Sequence, residues 1–389
     1  MQGTKKTAFD RMKKENLDTV FRAIVEHRPI SRIGISQQTG LNKMTVTNCV
    51  KNLLEQGMVR EVEAVSNAVG RPPILLDLNG TFGVMAGIEL NIISSKVLVL
   101  DFAGNVLKKE TITEEGWEPD RFVKYIERYV EKLSALSERY RNRILGIGIA
   151  IPGNYNDLSG CVEYISNMQS WNGYPIRETL TKELPGTPVF IQNAGRAGAK
   201  GEIDFGASCF EDDMTYIQGS MGLALSMYSK NGMYAGHRGF NGRFGHNIIV
   251  VGGKKCICGN RGCLEMYASV HSLCDTLYPG ETVTDEMIQT VIRRKQSRDQ
   301  EVCVAVEECV RYLAVGLANM INCFNPRRVC IGNYLGMILT GEEEFLNREV
   351  DRYLLPHYQE SRKIFISTLK EWGAAFGAAA TVRDRVSDQ

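Results

Sequence analysis

The sequence predicts a small winged helix-turn-helix head followed by a two-lobed α/β body that carries a structural metal site. Three observations predict it. Short helical stretches punctuated by Pro29 and Gly40 open the chain, and strand-like and helix-like stretches then follow one another in two rounds. The third is the segment 245–265, GHNIIVVGGKKCICGNRGCLE, which sets Cys256, Cys258 and Cys263 in a C-x-C-x4-C spacing downstream of His246. With 389 residues the chain has room for two or three domains, each with its own core. Apolar and charged shares of 43% and 23% fit a soluble globular protein, and no apolar run approaches a signal peptide or a membrane span. Eleven cysteines, an odd count in no disulfide pattern, point to a reducing cytoplasm.

In the head, Val20, Ile24 and Val25 recur at helical spacing over 19–27, and Pro29 ends that helix. Ser31 caps a short second helix through Gln38. Gly40 supplies the turn, and Asn42 caps a third helix from Lys43 to about Gln56. Val46, Val50, Leu53 and Leu54 form its inner stripe. Its outer face presents Lys43, Met44, Thr45, Thr47, Asn48 and Lys51, short polar and basic side chains of the kind that base edges and phosphates require. Residues 58–65 and 74–78 read as the strands of a β-wing, joined by a stiff basic tip at 66–73 that holds Arg71. A trihelical protein-interaction domain would pack in the same way. The polar face of the third helix, together with Arg32 and Arg71, favours double-stranded DNA. Residues 1–80 carry 12 Lys/Arg against 8 Asp/Glu, an offset in the same direction.

In the body, 83–90, 96–102 and 106–113 read as three consecutive strands, and an amphipathic helix spans about 119–141. The apolar run 144–151 is a buried parallel strand, 188–192 repeats that pattern, and a helix begins near Asn193. Strands near 214–218 and 223–229 open a second round, which continues through helices to about Phe324, a strand at 328–331 and a final helix at 371–383. A meander followed by alternating helices and strands, twice over, is the actin-like (ribonuclease H-like) duplicated arrangement. The expected lobes are 81–205 with 371–389, and 206–370, the latter bearing the metal site and a dimerisation surface. A cleft between them is the default ligand site.

Three thiolates and an imidazole, from Cys256, Cys258, Cys263 and His246, complete a tetrahedral shell for Zn(2+) and leave no open position, so the expected role is structural. The alternative is a set of ordinary buried thiols.

The Ser31-Arg32…Thr39-Gly40-Leu41 stretch, the Gly70-Arg71-Pro72 linker and the Gly245-His246…Cys-x-Cys-Gly-x-x-Gly-Cys-x-Glu segment resemble the ROK family (repressor, open reading frame, kinase), in its repressor branch. The resemblance covers about 19–383 and implies a sugar-responsive regulator acting as a homodimer or homotetramer. It also implies that Asn167, Asn193, His246 and Glu265 face a sugar. Where the family's kinases carry an Asn-Asp pair, this chain has Asn193-Ala194, and a methyl group cannot act as general base. Their Asp-x-Gly-Gly-Thr phosphate turn appears as Glu89-Leu90-Asn91-Ile92-Ile93, whose isoleucines block backbone approach to phosphate. A family Glu is Arg243 here, and Arg196 adds a second cation, which inclines the expected effector towards an anionic carbohydrate derivative. A cytoplasmic sugar kinase with a fused DNA-binding domain, or a regulator controlled by a partner protein, are the competing readings.

Overall fold

The computed structural model describes residues 8–63, 73–113, 117–165, 168–207, 213–239, 241–359 and 362–386. In the head, α1 (Ala8–His27), α2 (Arg32–Thr39) and α3 (Lys43–Glu55) pack on a three-stranded sheet of β1 (Ile30–Ser31), β2 (Val59–Glu63) and β3 (Ile74–Leu78), in the order β1-β3-β2. The caps are where the sequence puts them. Ser31 accepts from the Gly34 amide, Asn42 accepts from the Thr45 amide, and Gly40 takes the left-handed conformation that ends α2. Val20, Ile24, Ile35, Val46, Val50 and Leu53 are wholly buried. Helix α1 starts at Ala8 rather than near Thr19. Its early turns hold few apolar residues and so give no periodic signal, yet Leu17 still packs on the core.

The first lobe follows with β4 (Val84–Glu89), β5 (Ser95–Asp101), β6 (Val106–Ile112), α4 (Pro119–Ser137), β7 (Ile144–Ile151), a hairpin of β8 (Asn154–Asn156) and β9 (Cys161–Tyr164), α5 (Ile176–Glu183), β10 (Val189–Asn193) and α6 (Ala194–Phe205). Its main sheet runs β10-β7-β4-β5-β6, with β10, β7 and β4 parallel and β5 and β6 returning antiparallel. The second lobe holds β11 (Asp213–Gly219), β12 (Leu223–Ser229), β13 (Gly232–Met233), α7 (Glu265–Ala268), α8 (Val270–Leu277), α9 (Asp285–Gln296), α10 (Gln300–Phe324), β14 (Arg328–Gly332), α11 (Asn333–Leu339), α12 (Glu343–Asp351) and β15 (Lys363–Ile366). Its sheet order is β13-β12-β11-β14-β15. Counted within each lobe, both sheets read 3-2-1-4-5, which is the duplication that the sequence rhythm implied. The short edge strands β13 and β15 carry too little pattern to be seen in advance.

The last helix, α13 (Gly373–Val386), returns to the first lobe and crosses α6 at backbone contact. A methyl group at Gly377 would lie 1.7 Å from the Ala197 carbonyl, and one at Gly148 would lie 1.9 Å from that of Ala378, so only glycine fits at either place. The head does not hang from a tether. Phe21 of α1 lies 6.0 Å from Phe102 at 22° between ring planes, Phe102 meets Phe82, and one apolar cluster runs from α1–α3 through these rings to α13. Among the described residues, no helix is long and apolar enough to cross a membrane.

Candidate effector cleft, metal cluster and DNA-facing helix

A cavity of about 410 Å³ opens between the lobes, lined by the ends of β4, β7 and β10 on one side and by the β11–β12 turn and the 239–246 segment on the other. These are carboxyl ends of parallel strands, where open α/β sheets bind ligands. Asn193, Arg243, His246 and Glu265 all line it, and so does Ala194. Asn167 and Arg71 lie outside the described residues.

Asn193, Glu265, Arg243 and Arg196 already have partners within the protein. Asn193 caps α6, accepting from the Gly195 and Arg196 amides, and donates to the Gly153 carbonyl at 2.6 Å. Glu265 accepts from the Leu223 amide at 3.2 Å, in space left by Gly222 and Gly245. Arg243 donates to Asn154 Oδ1, from the second lobe to the first. Arg196 donates in the opposite direction, to the Gly239 carbonyl at 3.0 Å and the Ala235 carbonyl at 3.4 Å. The two guanidiniums therefore bridge the lobes. The two arginines that the sequence offered as anion clamps meet neutral acceptors on the opposite wall, and Arg196 also lies 3.7 Å from the Asp157 carboxylate. Asn154 went unnoticed in the sequence, although its place just after β7 marks it as a cleft residue.

A buried polar network joins the lobes at one end of the cleft. Glu89, 1% exposed, accepts through Oε1 from Asn91, Gln218 and Asn333, and Asn91 also donates to Ser220. Burial pushes the Glu89 carboxyl up to about 7, against the opposing pull of the Asn91 hydrogen bond and the Lys96 charge. Ile92 stays with the first lobe, whereas Ile93 is buried in the apolar cluster of the second. Ser94 and Tyr334 hydroxyls meet at 2.6 Å, and Tyr334 donates to Asp285 at 2.6 Å. The β4–β5 turn thus plugs into the second lobe. Both isoleucines were expected to obstruct phosphate; only Ile93 crosses into the other lobe, which depends on the partner surface and could not be read locally.

His246, Cys256, Cys258 and Cys263 bring their ligand atoms within 4.8 Å of one another, a cluster that could hold a metal ion. Cys258 Sγ and Cys263 Sγ lie 3.7 Å apart, as do Cys256 Sγ and His246 Nδ1. A tetrahedral shell with metal–sulfur bonds of about 2.3 Å has edges of about 3.8 Å, so the donor set fits. With Nδ1 turned to the thiols, the rest of the His246 ring remains on the cleft side.

On α3, Lys43, Met44, Thr47, Asn48 and Lys51 are exposed and Thr45 is half-buried. Arg32 donates to Glu61 at 2.8 Å and is two-thirds buried, so this side chain props the wing against α2 instead of standing free.

The sequence profile of the ROK family matches residues 85–385. The chain is 30% identical over 384 residues to the xylose repressor of Bacillus subtilis (strain 168), spanning 97% of each protein. It is 26% identical over 363 residues to the DNA-binding transcriptional dual regulator NagC of Escherichia coli (strain K12), spanning 89% of this chain and 84% of that one. Among solved structures, it superposes on a ROK family transcriptional regulator, a homologue of the E. coli MLC protein, with TM-score 0.79 and 25% identity over 97% and 98% of the two chains. A ROK glucokinase from Streptomyces griseus shares the fold at TM-score 0.66 and 22% identity, covering 99% of that enzyme but only 77% of this chain.

Proposed function

The chain belongs to the ROK family, and from that premise we propose that it is a DNA-binding transcriptional repressor of carbohydrate metabolism genes, controlled by a sugar or sugar derivative in the interlobe cleft. One observation carries the reading: the similarity to a named xylose repressor spans 97% of this chain and so takes in the head as well as the body. The head supplies an exposed polar helix of the right chemistry for a major groove, with Lys43 and Lys51 for phosphates and Thr47 and Asn48 for base edges. A single winged helix buries too little surface for tight operator binding, so the repressor acts as a dimer or larger assembly reading paired half-sites.

Sugar phosphorylation is not part of this reading. Ala194 stands in the cleft where a general base is needed, and Asn91, Ile93 and Ser94 occupy the phosphate side. The metal is a structural Zn(2+) held by His246, Cys256, Cys258 and Cys263. Soft thiolates select it, and the closed shell gives it no substrate position. It orients His246 towards the effector. Because Arg196 and Arg243 already bond across the cleft, and Glu265 lies beside Arg243, a neutral polyhydroxylated effector fits better than an anionic one.

The test is selection of DNA from a random pool by the full chain, followed by titration of the bound site with D-xylose and N-acetylglucosamine. Enrichment of a two-half-site sequence whose binding one of the sugars weakens is the expected result. Enrichment of no sequence would overturn the DNA assignment.

A further inference from the structure

We infer that helix α6 joins the cleft to the head, with Arg196 at its cleft end and Asp204 at its far end acting as positioning residues through which the interlobe angle sets the seating of the α1–α2 junction. The inference rests on the reading of the cleft as effector site and the head as DNA binder, and it names the residues that connect them.

At the cleft end, Asn193 caps the helix and Arg196, one turn in, holds the carbonyls of Gly239 and Ala235 on the opposite lobe. A change in lobe separation must therefore either break those bonds or drag α6 with it. Twelve residues at about 1.5 Å each give a rod of about 18 Å. Its other end lies beneath the head. Asp204, whose side chain is 2% exposed, receives Lys200 at 2.8 Å and also bonds buried Arg383, and Lys200 meets Asp384 at 2.6 Å. Phe205, the last residue of α6, packs on Phe376 at 5.1 Å and lies under Arg383. A methyl group at Gly104 would stand 2.7 Å from the Phe205 ring and 3.8 Å from the Arg28 guanidinium, so helix end and head meet at one turn. Arg28 is the residue that links α1 to the Pro29 turn; burial and the charge of Arg383 lower its pKa, opposed by Asp77, Asp101 and Asp204.

The rod is stiff for a stated reason. Its backbone touches that of α13 at Ala197 and Gly201, with no side chain between to absorb movement. The buried pair at its end tolerates no partial separation, because an uncompensated buried charge is costly. Movement at Arg196 therefore reappears at the far end of α6, where Asp204 is fixed to Lys200 and Arg383 and Phe205 meets the head around Gly104.

Hydrogen exchange on the full-length, ligand-free protein tests this without DNA or sugar. It therefore stands or falls independently of whether any carbohydrate binds. Arg196→Ala is expected to raise exchange about threefold or more at 28–34, as well as in the nearby loop 233–239. Asp204→Asn should raise exchange at 28–34 alone. The double variant should exchange at 28–34 no faster than Asp204→Asn. Should Asp204→Asn fold poorly, Arg28→Gln removes the head's guanidinium from beside the Gly104 turn and leaves the buried pair intact, with the same non-additivity expected. Exchange changes in Arg196→Ala confined to 194–198 and 233–239, or additive effects in the double variant, would overturn the proposal.

Discussion

The hydroxyl of Ser94 on the first lobe lies 2.6 Å from the hydroxyl of Tyr334 on the second, and both residues are buried. Together with Ile93 in the second lobe's core, this contact pins the β4–β5 turn between the lobes. On the proposed reading, placing a carboxylate at position 194 does not by itself produce a kinase. Ala194→Asp is expected to show no sugar-dependent ADP release above background in a coupled assay, and calorimetry should find no heat of binding for MgATP. Turnover near about 1 s⁻¹, the ordinary enzyme range, in wild type or variant would refute this.

Glu89 makes stability depend on pH. Its carboxyl sits at about 7 because burial disfavours the charged form, against an ordinary 4.5. Between those values the native chain holds a proton that the unfolded chain has released. The contribution is thus fully present below about pH 4.5, is lost as pH rises towards 7, and is flat above it. Glu89→Gln should gain on wild type by on the order of 2–3 kcal/mol between pH 5 and pH 8 in urea melts. A pH-independent difference between the two would show that Glu89 is ionised throughout.

Metal analysis should return one zinc per chain. Cys258→Ser, at the exposed corner of the cluster, should lower zinc content and shift the melting temperature down by several degrees, as expected for loss of a structural ligand. Full loading of the double variant Cys256→Ser, Cys258→Ser would mean that the metal sits elsewhere.

Phosphate and base contacts separate by salt. Lys43→Ala and Lys51→Ala should each weaken binding to all DNA sequences and lower the salt slope by about 1, whereas Thr47→Ala or Asn48→Ala should alter preference at one base position by about 1–3 kcal/mol. Arg32→Ala should act through the wing, because Glu61 loses its partner. Footprints unchanged in all the α3 variants would move readout to another surface.

Calorimetry against neutral sugars, sugar phosphates and uronic acids should favour a neutral ligand. Arg243→Glu should leave that preference in place and loosen the lobes by losing Asn154. Tighter binding of an anionic sugar to wild type, abolished in the variant, would restore the anion reading.

Local rules carried much of the fold. Asn42 and Gly40 fix α2 and α3 because capping is decided within a few residues, and both lobes' meanders follow from alternation and turns. The cysteine spacing marked the metal cluster because its ligands lie close in sequence. What stayed hidden is what depends on distant partners. Ile93 has the same local signature whether it faces water or the core of another lobe, and Arg243 the same whether it meets a phosphate or Asn154. The early turns of α1 lack a periodic signal for the opposite reason, since a mostly polar stretch that packs through Leu17 shows no regular apolar stripe.

The stacking of Phe21 on Phe102 bears on how such proteins diverge. A DNA reader that shares one apolar interior with the lobe beneath it is not an exchangeable module. Transplanting the head of a relative onto this body would set a foreign α1 surface against Phe82, Phe102 and Phe376, and the mismatch would be felt as lost packing. On the proposed reading, new operator preferences come from exchanging the exposed side chains of α3, while the inward face of α1 and the floor it rests on change only together.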